Sequence, residues 1–263
     1  MDDAIETKRD KSQEMRPTSR RKLQLLDPAK KGLHSPKQLL FSHLPKAGGN
    51  EVKYILGMTV GQRGYHLQRE NGSLTPIQKS QFFVIAQVRS PCNYLLSLWA
   101  FGSDGKGGFY NSIKDKSLYG RTPPYNNKQD LERFTRWLQN YKHMYSERLM
   151  SKYFRFETWK KEPDLNNADC WVHTEMLISD LVNCLKRYQK QGGKVSWEKF
   201  HKVYSNRNPS THVKCDKYFN DERTQLVMDS NTDMIRLFRY DTCCTENTNA
   251  TITELAERAK KGS

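Results

Sequence analysis

The sequence predicts an α/β protein with a central, mainly parallel sheet flanked by helices. Three observations carry that expectation. An apolar run ending in Phe41-Ser42-His43-Leu44 breaks at Pro45-Lys46-Ala47-Gly48-Gly49-Asn50 and then resumes a helix-like pattern, which is how a strand, a turn and a helix N-terminus read in sequence. A second run, Phe82-Phe83-Val84-Ile85-Ala86-Gln87-Val88, has the β-branched content of a strand covered on both faces. A helix-period stretch with Tyr94, Leu95, Leu98 and Phe101 on one face follows it directly. The chain of 263 residues is long enough for one such domain and needs no second core.

The first turn has the composition of an anion cradle. Two glycines let backbone N–H groups close on a phosphate, the helix dipole favours negative charge, and Lys46 adds a mobile cation. A magnesium-nucleoside triphosphate fits poorly, because a Walker loop places its lysine after the last glycine and follows it with Ser or Thr. Here the lysine precedes the glycines, and Asn50-Glu51 follow them. The second strand ends in Arg89-Ser90-Pro91, with Ser97 eight positions beyond Arg89. A guanidinium grips a phosphate through two parallel N–H bonds, and a serine on the next helix adds a third donor.

Together these two segments resemble the cofactor motifs of sulfotransferases that use 3'-phosphoadenosine 5'-phosphosulfate (PAPS), the carbohydrate or Golgi type in particular. The resemblance covers roughly residues 38 to 241. It implies a three-layer fold like that of the P-loop NTPases. It also implies that Lys46 reaches the oxygen bridging phosphate and sulfate, that Ala47, Gly48, Gly49, Asn50 and Glu51 form the 5'-phosphate turn, and that Arg89 and Ser97 hold the 3'-phosphate. Trp171 to Leu177 with Ser179 to Val182 resembles the family's late strand and helix start. Asn208-Pro209-Ser210-Thr211-His212, before Tyr218-Phe219, resembles the polar loop that completes the cofactor pocket, with Ser210 on the cofactor. The family takes its proton acceptor from a histidine or glutamate between the two cofactor motifs, and His66 in Gly64-Tyr65-His66-Leu67 matches best, with Glu70 and Glu51 as alternatives. His43, on the first strand, reads as structural, and His212 as a contact to cofactor or acceptor. Two departures stand out: Asn50-Glu51 replaces the family's hydroxyl pair, and Ser90 replaces its aspartate.

The expected activity is transfer of the sulfuryl group from PAPS to a hydroxyl, or an amine, of an acceptor, a carbohydrate foremost. No metal is required, since no β/γ-phosphate pair needs bridging. The alternatives are a small-metabolite acceptor, a phosphoryl-transfer enzyme, and an inactive basic module that holds glycans or nucleic acid on the same scaffold.

Bulk properties set the remaining bounds. The formal charge is +15; residues 1–37 hold ten Lys or Arg against six Asp or Glu, so +11 remains for the body. Such a body suits PAPS and an anionic acceptor such as a uronate-containing or sulfated glycan. No zinc-finger, RRM, KH or helix-turn-helix signature points to nucleic acid. Six cysteines show no CxxC pair and no metal-ligand spacing, which leaves disulfides and buried thiols as equal readings.

Residues 1–36 read as a flexible basic tail, 37–242 as the catalytic domain, and 243–263 as a polar tail with a short helix near 251–261. No apolar run approaches the ~18 residues of a membrane span. The sequence is therefore expected to be soluble and cytoplasmic as given, or to belong in the Golgi lumen if an N-terminal anchor was removed. Gly102 to Tyr125 is too long and polar for an ordinary connection and is a candidate wall of the acceptor cleft. Asp130 to Met150 predicts one helix whose aromatic stripe of Phe134, Trp137, Tyr141 and Tyr145 faces the core.

Overall fold

The computed structural model describes residues 37–154, 163–203 and 211–245. The expected tails at 1–36 and 246–263, the helix near 251–261 and the Asn208 to Ser210 part of the polar loop lie outside the described residues.

Four parallel strands form the sheet: β1 (Gln38–Ser42), β2 (Tyr65–Gln68), β3 (Phe82–Val88) and β4 (Cys170–His173), in the order β2-β1-β3-β4. Parallel strands need crossovers and are covered on both faces. The two-residue alternation of the strands fills two separate cores. Leu39, Phe41, Phe83 and Ile85 pack with Val52, Ile55 and Leu56 of α1 (Gly49–Thr59) and with Leu181 and Leu185 of α7 (Leu177–Lys190). Leu40, Val84, Ala86 and Val88 pack on the opposite face with α3 (Pro91–Ser103), α5 (Lys128–Tyr141) and α6 (Met144–Leu149). The expected α/β sheet flanked by helices is present, with a layering compatible with three layers.

The sheet order places a switch point between β1 and β3. From β1 the chain crosses through α1 to β2 on one side, then returns past β1 through α2 (Pro76–Gln81) to β3 on the other. The helices after β1 and β3 therefore leave toward opposite faces and open a crevice at the strands' carboxyl ends, where ligands of open α/β sheets bind.

Two expectations are revised, the single helix over 130–150 and the boundary at 242. The helix expected over 130–150 is two helices, α5 and α6, split at Lys142-His143. Asn231 makes the break: its side chain donates to Lys142 O (2.9 Å) and accepts from Ser146 N (3.1 Å), so it takes over backbone bonds that a continuous helix would make itself. Phe134, Trp137 and Tyr145 are buried as expected. The Gly102 to Tyr125 stretch is structured, with α4 (Gly107–Ser112) and buried Tyr119 and Tyr125. The folded body also extends past residue 242. All six cysteines are paired, as Cys92–Cys243, Cys170–Cys184 and Cys215–Cys244, so the vicinal Cys243 and Cys244 belong to the core.

Candidate functional site

The turn after β1 is shaped by its own residues. Lys46 and Gly48 take left-handed backbone conformations, with φ of 62° and 77°. That conformation costs a non-glycine residue about 1–2 kcal/mol, so surrounding contacts must hold Lys46 in place. Glycine is required at the next two positions. A Cβ on Gly48 would come within 2.8 Å of Leu177 Cδ1, and one on Gly49 would overlap the His43 ring. Gly48 is also the residue from which α1 starts, with no side-chain cap. The first N–H groups of α1, which have no intrahelical acceptor, therefore lie at the crevice end of that helix.

β3 delivers Arg89 to the other side of the same crevice, and Pro91 in the first turn of α3 starts the next helix. The Arg89 Nη1 donates to Lys46 O at 2.8 Å, and Gln87 Nε2 donates to Ala47 O at 2.7 Å. The two turns are thus bonded to each other through the backbone of the first. Arg89 Nε is buried and has no hydrogen-bond partner among the described residues. A guanidinium with a spare, desolvated donor suits an incoming anion.

Glu175, in the turn between β4 and α7, stands behind Arg89. It is almost fully buried, accepts from Ser90 N at 2.8 Å and contacts Tyr240 Oη at 3.4 Å. Burial lowers the Arg89 guanidinium from its usual value, and the Glu175 carboxylate opposes that shift. Ser90, where an aspartate was expected, accepts from Asn93 Nδ2 at 2.7 Å, which fixes the turn in another way.

The Lys46 ammonium lies 4.0 Å from the centre of the Phe101 ring on α3. Burial, reinforced by the Arg89 charge, lowers it to about 8, against the pull of Asp104 and Glu70. Asp104 anchors the far rim: it accepts from Tyr125 Oη at 2.6 Å and from Thr211 Oγ1 at 2.7 Å, and pairs with Lys106 at 3.2 Å. His212 sits within the field of both cations. Its Nδ1 lies 2.7 Å from Val213 O, and its Nε2 is buried without a partner among the described residues. Burial lowers the imidazole, and Arg89 and Lys46 lower it further.

The remaining expected site residues divide. Asn50 is exposed in the first turn of α1 and Glu51 is half-buried beside it, engaged with another group. Ser97 is buried two turns into α3 and is likewise engaged. Ser210 lies outside the described residues.

His66 is not brought to the cluster. It lies on the edge strand β2, exposed, with Nε2 2.7 Å from Gln38 Oε1 and its ring against Phe82. Gln38 and Phe82 are the first residues of β1 and β3, so the imidazole points to the end of the sheet remote from the Lys46 turn. Glu70, which follows β2, is on the correct side and pairs with His43 Nδ1 at 3.4 Å.

Reading the sequence alone gave no role to Gln87 or Glu175 and read His43 only as structural. The first two carried a signal, since a polar residue inside or just past a strand buried on both faces must find partners.

No protein-family model, curated protein or solved structure matches the chain. Among the described residues no group of three or more His, Cys, Asp or Glu is placed to hold a metal, and no helix is long and apolar enough to cross a membrane.

Proposed function

We propose that this chain is a PAPS-dependent sulfotransferase on a three-layer scaffold like that of the P-loop NTPases, passing a sulfuryl group to a hydroxyl-bearing acceptor, a carbohydrate foremost. The observation that carries the reading is the Arg89 to Lys46 O bond at the switch point. It joins an anion-cradling turn, from which α1 starts without a side-chain cap, to a desolvated guanidinium, so that one ligand with two separated phosphates can meet both. The residues suit the nucleotide: the α1 N-terminus takes one phosphate through main-chain N–H groups, and the spare Arg89 Nε meets the other.

In-line transfer of SO₃ needs charge stabilisation on the bridging oxygen that leaves with the nucleotide. Lys46 serves this. With its pKa near 8 it is still mostly protonated at neutral pH and presents three donors. The same partial desolvation that lowers its pKa strengthens its attraction to a growing negative charge. Gln87 and Arg89 hold its backbone in a strained conformation, which fixes the starting direction of the side chain.

Calorimetric titration with adenosine 3',5'-bisphosphate, followed by transfer of radiolabelled sulfate from PAPS into an acceptor panel, tests the reading. Saturable nucleotide binding and Lys46-dependent transfer are expected. Lys46→Ala with undiminished transfer overturns the mechanism, and absence of nucleotide binding overturns the assignment.

A further inference from the structure

A cleft of about 300 Å³ opens beside the Lys46 turn, between Leu44 and Pro45 on one wall, residues 70–73 on a second, and Glu147, Arg148 and Lys152 on a third. Its charges are unequal in availability. The Lys152 ammonium is buried and spent on the carbonyls of Arg69 (3.0 Å) and Gly72 (2.9 Å), with that of Glu70 at 3.4 Å. Arg148 rests its guanidinium over the Phe109 ring at 5.6 Å. The Glu70 carboxylate is half-exposed and lines the cleft. It is near enough to Lys46 to be felt electrostatically at the ammonium.

Beneath Glu70, the buried His43 presents Nδ1 at 3.4 Å. The opposite edge of the ring is packed on Gly49, so the imidazole cannot turn away without displacing the start of α1. A ring that is held in place and points a nitrogen at an exposed carboxylate sets the direction of that carboxylate. Burial, together with the charges of Lys53 and Lys152, lowers the imidazole to about 4, so it is neutral at working pH and can donate Nδ1–H.

We infer that the occupant of this cleft is an uncharged polyhydroxyl group about the size of one sugar ring, and that His43 is the positioning residue that aims Glu70, one of the two glutamates the family resemblance offers as proton acceptor, at the reacting hydroxyl. This inference rests on the sulfotransferase reading above. The class of occupant follows from the lining: the two carboxylates Glu70 and Glu147 match the two cations Arg148 and Lys152, and the Lys152 ammonium is already held by backbone carbonyls, so the cleft offers no excess of positive charge to a carboxylated or sulfated group. Cleft size sits at the lower end of the range for small-molecule sites.

In the step, the acceptor oxygen forms its bond to sulfur as the bond from sulfur to the bridging oxygen breaks. The hydroxyl proton passes to Glu70 and from there to water, and the charge left on the bridging oxygen is met by Lys46.

The test uses the full chain, radiolabelled PAPS, and methyl glucoside, glucosamine and glucuronide as probes. Methyl glucoside is expected to be the best acceptor. Glu70→Gln should lower kcat by about 10²–10⁴-fold with adenosine 3',5'-bisphosphate affinity unchanged within about twofold. His43→Phe keeps the ring against Gly49 without the donor and should lower kcat rather than raise KM. His43→Asn, which restores a donor near Nδ1, should recover most of the loss. Preference for the glucuronide, transfer to none of the probes, or full turnover by Glu70→Gln overturns the inference while the nucleotide still binds. Loss of nucleotide binding by the unaltered chain overturns the sulfotransferase reading instead.

Discussion

Arg89 and Lys46, 43 residues apart, are joined by one hydrogen bond, from the guanidinium Nη1 to the lysine's own carbonyl at 2.8 Å. The bond spends one donor of a group with five and leaves Nε buried and available. It therefore fixes the geometry of both turns without exhausting the arginine.

Replacing Arg89 tests that division of labour. Arg89→Lys keeps the charge but loses the fork, and charged hydrogen bonds contribute about 1.5–3 kcal/mol. Affinity for adenosine 3',5'-bisphosphate should fall roughly 10- to 100-fold by calorimetric titration. Arg89→Ala should cost more, and should also lower Tm, because the buried Glu175 then loses its counter-charge.

Nucleotide affinity should depend on alkaline pH through Lys46. The free ammonium titrates near 8, and a bound anion raises that value. Affinity is then level below about pH 8 and declines as pH rises past it, because binding must first restore a proton. A titration series from pH 6.5 to 10 checks this, and Lys46→Gln should remove the decline along with most of the affinity.

His43 should make the fold acid-sensitive. Its folded value is depressed from 6.5 to about 4. The unfolded chain thus binds more protons between those values, and stability falls as pH drops from about 6.5 toward 4. Thermal unfolding at pH 7.0 and 4.5 should show a drop in Tm that is smaller in His43→Asn.

The three disulfides should rank by the loops that they close. Sequence separations are 151 for Cys92–Cys243, 29 for Cys215–Cys244 and 14 for Cys170–Cys184. Chain entropy then assigns about 5, 3.6 and 3 kcal/mol. Paired Cys→Ser variants compared by denaturant unfolding should follow that order. The Cys92–Cys243 variant should also weaken nucleotide binding, since Cys92 lies three residues past Arg89 and Cys92 N donates to Cys243 O at 3.3 Å.

Much of the site was legible because its signals are local. The apolar runs of β1 and β3 and the Lys46 to Gly49 turn are each written within ten residues, and so is the Arg89-Ser90-Pro91 boundary. What those signals cannot carry is the side of the sheet to which a short strand sends a given side chain. His66 and Glu70 are four residues apart, yet one sits against the first residues of β1 and β3 and the other past the strands' ends. The single helix expected over 130–150 failed for a similar reason, since Asn231, more than eighty residues away, supplies the bonds that break it.

The sequence by itself determined the parallel α/β class, the two turns and the basic character of the body, because period, glycine placement and charge act over a few neighbouring residues. Only the tertiary structure decided that the two turns share one crevice, that Gln87 and Glu175 support them, and that Glu70, paired with His43, lies at the crevice end of the sheet while His66 lies at the other. Strand order and register set those relations, and both follow from the packing of two cores on opposite faces of the sheet, where every element constrains the rest.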